Sequence, residues 1–598
     1  MTVSIETRLN ELKKVMKKNA VQGVIIPHTD EFGSEYLPEN AERLAWITGF
    51  TGSSGAAVIL HHKAMAMTDG RYTIQIKEQV DKNLFELCDM ADVTIGGWIA
   101  DNATKENIIG YDPKLHTQKQ IESIEAKLSE TGITLKAIPE NMVDAIWTDR
   151  PQSPIGIVEL FPDEIAGATS AEKRAKIAAG LKADKLSSVI LTLSDSICWL
   201  LNIRGSDIDF NPLVLSYAVL HADARVDWYV DDRKIPSFVR TALGKDIVIH
   251  PFENFEAGVR QLKGIIQYDD ARSSQWIHHI LVDADIDAVT GKDPCILPKA
   301  YKTEAEQLSI RQAHIRDGVA LVKFLYWLEV QNLSDGHVTE LMVEEKLEEF
   351  RKGHHSYRGP SFSTIAGWAA HGAIIHYRAT PKSNAVITGD NFLLLDSGGQ
   401  YEYGTTDITR TIVIGDVTPE MKDRYTRVLK GHIALASAKF PPETDGVTLD
   451  EMARQYLAEV GLNYAHGTGH GVGCFMCVHE EATSISPRGK DRMRLGTLVS
   501  NEPGYYQEGA YGIRHENLIL CREDTDGNYY FDTITCVPFD TRGIDWDLMT
   551  AAETEWLNNY HQWVFDSLSP FLDEAELQWL RNTLFPEGIR NDEVTELS

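Results

Sequence analysis

The sequence predicts a multidomain α/β chain: two related α/β units, a larger α+β unit and a short helical tail. Three observations lead there. The chain has 598 residues, too many for one hydrophobic core and enough for about three or four domains. In its first half the order helix, short apolar strand, tryptophan block occurs twice. Beyond Thr303, apolar strands and amphipathic helices follow one another to about residue 540, after which only helical spacing remains.

The first unit, expected over residues 1–154, opens on an amphipathic helix carrying Leu9, Leu12, Val15 and Met16. It runs to Ile146-Trp147, before Asp149-Arg-Pro-Gln-Ser-Pro154 breaks the chain. The second, 155–301, starts its helix at Thr169-Ser-Ala-Glu172, which has the form of a capping box, and proceeds to the apolar strand Ser188-Val-Ile-Leu-Thr-Leu193. Trp46-Ile-Thr-Gly49 is echoed by Trp199-Leu-Leu-Asn-Ile-Arg-Gly205, and Asp69-Gly-Arg-Tyr72 by Asp231-Asp-Arg-Lys234, so a duplicated fold is expected. Thr303-Glu-Ala-Glu306 caps the helix that opens the third unit, 302–540. In the tail, 541–598, Trp556, Tyr560, Trp563, Val564 and Leu568 recur at helical spacing, followed by Leu577, Trp579 and Leu580. A segment this short cannot bury such a stripe alone, so it has to pack on the preceding unit or on a second chain.

Composition removes several function classes. With 43% hydrophobic and 24% charged residues the chain is globular rather than disordered or fibrous. A net charge of −30 argues against nucleic acid and anionic membranes as partners, because the general field repels phosphates. No run approaches the roughly 18 apolar residues of a membrane span, and the opening residues lack the apolar core of a signal peptide. Seven scattered cysteines fit free thiols in a reducing compartment better than a disulfide frame, which points to the cytoplasm.

Five residues in order, Asp396, Asp407, His470, Glu502 and Glu516, form an oxygen-rich candidate ligand set. Four carboxylates and one imidazole carry more negative charge than one divalent cation needs, and suit two hard or borderline cations sharing carboxylates. Such a pair, roughly 3.5–4 Å apart, can hold a hydroxide and clamp a substrate oxygen. Asp396 ends the apolar run Asn391-Phe-Leu-Leu-Leu-Asp396, and Tyr401-Glu-Tyr-Gly-Thr-Thr-Asp407 leads into the β-rich Ile408-Thr-Arg-Thr-Ile-Val-Ile414. Adjacent strands would set the two aspartates side by side, at an electrostatic cost that a bound metal removes. His470 lies in His466-Gly-Thr-Gly-His-Gly-Val-Gly473, whose glycines are expected to allow close backbone approach and positive φ. Glu502 precedes a Pro-Gly turn, and Glu516 leads into the apolar Asn517-Leu-Ile-Leu520. Any one of these acids alone reads more readily as a solvated or structural carboxylate; the five together do not.

These blocks resemble the metal-dependent pita-bread peptidase family, and within it the long, three-domain form of aminopeptidase P. Glu42-Arg-Leu-Ala-Trp-Ile-Thr-Gly-Phe-Thr-Gly-Ser-Ser-Gly55 and Thr68-Asp-Gly-Arg-Tyr72 extend the likeness to the first unit. Cys198-Trp-Leu-Leu-Asn-Ile-Arg-Gly-Ser-Asp207 and Asn211-Pro-Leu-Val-Leu-Ser-Tyr217 extend it to the second. The resemblance implies two creatinase-like α/β domains, a pita-bread catalytic domain and an associated C-terminal region. It implies release of the N-terminal residue from peptides with proline second, by a hydroxide bridged between two divalent metals, with Glu502 as general base. Manganese is the metal implied; zinc and cobalt also fit the ligand count. His376, His466 and His479 match the family's three non-ligand histidines, and Arg514 its arginine, which would fix the site by charge-assisted bonds. A homodimer is implied as well.

The chain departs from the family's usual pattern in three places. Gly367-Trp-Ala-Ala-His-Gly-Ala373 stands before His376, so Trp368 and His371 are expected to reshape the substrate side; Arg378 stands where a small residue is usual. Glu480-Glu-Ala482 replaces the commoner Glu-Gly-Pro. Cys474 and Cys477 form a CxxC without a second pair to complete a four-thiolate zinc site, and are expected to be packed free thiols. A prolidase shares the ligands but cuts dipeptides and lacks so long an N-terminal region, and a methionine aminopeptidase usually lacks both extra domains. Creatinase-like relatives work without metals. Pita-bread binding modules such as histone chaperones have typically lost ligands and carry long acidic tails, whereas this chain ends modestly at Asn591-Asp-Glu-Val-Thr-Glu-Leu-Ser598.

Overall fold

The computed structural model describes residues 3–585 and divides at Lys299/Ala300 into two compact units. The closing stretch 591–598 lies outside the described residues.

The first unit holds two six-stranded sheets of the same topology. One has the order Glu86–Asp89, Ala64–Thr68, Ala56–Leu60, Gly23–Pro27, Ile108–Tyr111, Thr134–Ala137; the other has Ile247–Pro251, Val226–Val230, Tyr217–His221, Ser188–Leu191, Ile266–Tyr268, Ala288–Thr290. In each, the two antiparallel pairings lie centrally and the parallel ones flank them. The duplication expected from the sequence is therefore present strand for strand. The echoed acidic turns match too: Asp69 and Asp231 each follow the third strand in chain order and grip an arginine two residues on, Arg71 and Arg233. The opening helix Ile5–Lys18 buries Leu9, Leu12 and Met16, and Thr169 closes its capping box with Glu172.

The second unit is α+β, with antiparallel sheets throughout. Thr303 and Glu306 form the expected capping box on the helix Glu304–Glu329. The strand Asn391–Ser397 lies between Ile365–Trp368 and Ile408–Ile414. A six-stranded sheet runs Lys439–Phe440, Tyr529–Thr533, Asn517–Glu523, Leu498–Asn501, Gly469–Gly471, Glu480–Ile485, and Gly504–Gln507 with Tyr511–Arg514 forms a hairpin.

The aromatic tail packs on this unit, which is one of the two outcomes its stripe allowed. Helix Ala551–Leu568 buries Leu557, Tyr560, Val564 and Leu568 in one cluster with Tyr425, Val428, Leu429 and Ile433 of the helix Pro419–Ala436. Each such side chain is worth about 1.5–3 kcal/mol of apolar burial. Tyr560 Oη lies 2.7 Å from Val537 O and 2.9 Å from Thr535 O. It also accepts from Arg410 Nη2 at 3.1 Å. Arg410 donates further to the carbonyls of Pro538, Val537, Thr409 and Glu516, so the tail and the Ile408–Ile414 strand share one buried cation.

Candidate active site

Strand register brings the two aspartates together. Asp396 faces Thr409 across the Asn391–Ser397 and Ile408–Ile414 pairing, and Asp407 directly precedes the second of these strands. Glu516 connects Tyr511–Arg514 to Asn517–Glu523, and its amide donates to Thr409 O at 3.2 Å. His470 occupies the middle of Gly469–Gly471, and Glu502 follows Leu498–Asn501 with its amide on Thr468 O at 2.8 Å. The glycines serve close approach: a Cβ on Gly469 would stand 2.0 Å from Ser500 O, and one on Gly471 2.5 Å from Glu480 O. The expected positive φ is not used in that block, where strand pairing holds Gly469 and Gly471 in place.

One ligand atom each from Asp407, His470 and Glu516 lies within 4.8 Å of the others. His470 Nε2 stands 3.4 Å from Asp407 Oδ2 and 3.4 Å from Glu502 Oε1, which brings the fourth residue to the same point. Asp396 is held from behind by Arg514 Nη2 at 2.6 Å through Oδ2. Its Oδ1 is buried with no hydrogen-bond partner among the described residues.

The electrostatics of this cluster call for cations. Burial, then Asp396 and Glu502, drive the Asp407 carboxyl well above the usual range. Burial, then Asp407 and Asp396, do the same to Glu516. Burial and the charge of Glu516 push Glu502 up to about 8. Carboxyls packed this closely hold protons at neutral pH unless positive charge replaces them. An orphaned carboxylate oxygen, three converging donors and mutual repulsion all fit a divalent metal site built of oxygen with one imidazole.

Of the other expected site residues, His466, His479 and Arg514 lie beside the ligands. His466 Nε2 is 2.8 Å from Tyr506 Oη, and its Nδ1 is 3.9 Å from Glu502 Oε2. The His479 ring stands edge-on to His470 with centroids 4.4 Å apart. The backbone beside His376 is tied to the same framework. The carbonyl before it, Ile375 O, accepts from Arg514 Nη2 at 3.3 Å, and Gly512 lies so close to Gly372 O that a Cβ would be 1.7 Å away. Arg514, 1% exposed, also donates to Tyr506 Oη at 2.7 Å and to Thr409 Oγ1 at 3.2 Å. Tyr506 and Thr409 were missed at the sequence level. Alternation in Gly504–Gln507 and Ile408–Ile414 shows which side chains share a face, but nothing local says that the face meets the ligands.

Two departures take on a different meaning in three dimensions. Trp368 is 9% exposed in an apolar cluster with Phe324, Leu347 and Ile412. His371 Nδ1 lies 2.8 Å from Glu340 Oε1, and its ring stacks on Tyr377 at 4.4 Å. Glu340, fully buried, also accepts from Trp368 N, Tyr377 Oη and Ala385 N, each at 2.8–2.9 Å, so this carboxylate fastens the loop that carries His376. All seven cysteines are free thiols, and Cys474 Sγ rests 3.3 Å from Tyr403 O.

Comparison with known proteins agrees along the whole chain. Residues 309–523 match the model for metallopeptidase family M24, and 527–586 that for the C-terminal region of this peptidase family. Residues 8–144 and 149–306 match two models of the creatinase/prolidase N-terminal domain. A probable Xaa-Pro aminopeptidase P of Pyrenophora teres f. teres is 37% identical over 607 residues, covering 97% of this chain and 92% of its own length. One of Laccaria bicolor is 37% identical over 608 residues, with 98% and 94% covered. The crystal structure of X-prolyl aminopeptidase from Caenorhabditis elegans, described as a cytosolic enzyme with a di-nuclear active site, superposes with a TM-score of 0.92 at 31% identity. It covers 97% of this chain and 99% of that one. The chain therefore belongs to the Xaa-Pro aminopeptidase P family, within metallopeptidase family M24.

Proposed function

We propose that this protein releases the N-terminal residue from peptides with proline in second place, using two divalent cations held by Asp396, Asp407, His470, Glu502 and Glu516. The observation that carries this reading is the convergence of Asp407, His470 and Glu516 within 4.8 Å, with Glu502 on His470 and Asp396 beside Asp407. When bound, the cations supply an activated water and a Lewis acid for the scissile carbonyl. Manganese is the metal we assign, with zinc or cobalt as substitutes.

Glu502 takes the proton of the attacking water as general base. Its carboxyl reaches His470 through one oxygen and faces His466 through the other. His376, His466 and His479 supply donors to the developing oxyanion and to the departing proline nitrogen, which carries no N–H before cleavage. Arg514 holds Asp396 by a charge-assisted bond and, through Tyr506, orients His466.

The same reading makes residues 1–154 and 155–301 creatinase-like domains, 302–540 the catalytic domain and 541–598 its associated C-terminal region. It makes the protein a cytoplasmic homodimer. A net charge of −30 supports the absence of nucleic-acid and anionic-membrane partners, and no helix among the described residues is long and apolar enough to cross a membrane. The test is hydrolysis of Arg-Pro-Pro, Arg-Ala-Ala and Ala-Pro with Mn²⁺ and after chelation. Metal-dependent release of arginine from Arg-Pro-Pro alone is expected; cleavage of Ala-Pro alone would make the protein a prolidase.

A further inference from the structure

Behind the two aspartates lies an ion pair buried in the catalytic unit that none of the chemistry above uses. Asp317, on the helix Glu304–Glu329, and Arg351, on the helix Glu340–Lys352, are 0% and 1% exposed. They meet side-on, Arg351 Nε on Asp317 Oδ1 at 2.7 Å and Nη2 on Oδ2 at 3.1 Å.

Among the described residues, the remaining side-chain hydrogen bonds of the pair all go to one segment. Arg351 donates to Ser397 Oγ at 3.0 Å and Gly398 O at 3.2 Å. Asp317 accepts from Tyr401 Oη at 2.9 Å and Thr406 Oγ1 at 2.5 Å. Ser397 immediately follows Asp396, and Thr406 immediately precedes Asp407. The segment is also closed on itself, Thr406 Oγ1 accepting from Gly399 N at 2.8 Å and Thr406 N donating to Gly399 O at 2.9 Å. The guanidinium thus grips the exit from one aspartate and the carboxylate the approach to the other, and their mutual bond ties the two grips together.

Stability alone is a weak reason for such a pair. Stripping two charges of water costs roughly what their attraction returns, and well-packed apolar residues of similar size often do as well or better. Charged groups in a fixed fork geometry add directional precision instead.

We propose that Asp317 and Arg351 are positioning residues that set the separation of Asp396 and Asp407, and with it the spacing of the two metals. The proposal rests on the ligand reading given above. Its test is a Mn²⁺ titration of the chelated full-length protein, followed by electron paramagnetic resonance, with melting curves alongside. Three variants answer it: Asp317→Leu/Arg351→Met, which removes the pair but fills its volume, Thr406→Val and Ser397→Ala. The pair variant is expected to bind Mn²⁺ about 10- to 100-fold more weakly and to lose the signal of two coupled ions, with Thr406→Val and Ser397→Ala in between. A lowered melting temperature with parental affinity and coupling would overturn the proposal, since it is what a purely structural pair gives. Should the pair variant not fold, parental binding by both Thr406→Val and Ser397→Ala would overturn it equally. Asp407→Asn separates the two levels. If the parent binds no more Mn²⁺ than Asp407→Asn, the ligand reading fails and takes the proposal with it. If Asp407→Asn abolishes binding while the other variants keep it, only the proposal fails.

Discussion

Thr409 donates its hydroxyl to Glu516 Oε2 at 2.7 Å while accepting from Arg514 Nε at 3.2 Å, so one small side chain joins a candidate ligand to the buried guanidinium that holds Asp396. Thr409→Val keeps the shape and removes both bonds. A hydrogen bond to a charged group contributes about 1.5–3 kcal/mol, and loss of a residue that orients a metal ligand typically lowers affinity about 10- to 100-fold. The expected variant is folded, binds Mn²⁺ more weakly by that factor and recovers part of its turnover at high metal. Calorimetric titration measures it, and parental affinity would show that Glu516 is oriented by its backbone alone.

Metal removal should destabilise the protein more at high pH than at low. Burial and the neighbouring acids raise Glu502 to about 8, with Asp407 and Glu516 also raised, while the unfolded chain titrates these groups near 4. Without metal the folded state therefore holds extra protons between about pH 4 and 8, and its stability falls as pH rises through that window. Bound cations replace those protons. The difference in melting temperature between Mn²⁺-loaded and chelated protein is expected to grow from pH 6 to pH 8.5, and metal binding at pH 7 to release protons. A difference that stays flat across this range would contradict the assigned burial of like charge.

Glu502→Gln separates catalysis from folding. The substitution removes a carboxyl whose ionisation is opposed by burial and by Glu516, so the chelated variant should melt at or above the parent at pH 8. Turnover of Arg-Pro-Pro should fall about 10²- to 10⁴-fold, the usual contribution of a general base. Stopped assays at saturating Mn²⁺ decide this; undiminished turnover removes Glu502 from the mechanism.

Glu340→Ala is expected to loosen the loop of His376 from a distance. The carboxylate accepts from Trp368 N, Tyr377 Oη and Ala385 N and meets His371 Nδ1, and its removal takes the carboxylate acceptor from the Trp368 and Ala385 amides. A loss of about 3 kcal/mol in unfolding free energy follows, together with a fall in kcat larger than any change in metal affinity. Urea unfolding and a Mn²⁺ titration read the two effects separately; equal loss of both would place Glu340 with the metal site instead.

Much of this fold was legible because its signals are local. Thr169, Thr303 and their glutamates announce helix starts within a single turn. The duplication in the first unit was visible as repeated blocks, since each tryptophan block ends a short helix and each acidic turn follows the corresponding strand of its sheet. The aromatic stripe of Trp556, Tyr560 and Trp563 required a partner surface, yet only the assembled chain shows that Tyr560 meets Val537 and Arg410. Trp368 and His371 stand out in the sequence beside a candidate histidine, but only packing shows that one joins an apolar cluster and the other pairs with Glu340.

Family resemblance supplied the accompanying histidines and arginine; by itself the sequence offered a candidate chemistry, namely five side chains as ligands and the order in which strands and turns present them. Those properties live in residue type and in spacing along one strand or turn. Tertiary structure alone decided the arrangement. The Asp396–Thr409 register, the fork of Arg514 on Asp396 and Tyr506, the thread from Thr409 to Glu516 and the Asp317–Arg351 brace each join segments far apart in the chain. The physical reason is that burial makes every unpaired polar atom costly, so distant donors and acceptors must find one another, and no local pattern records which of them do.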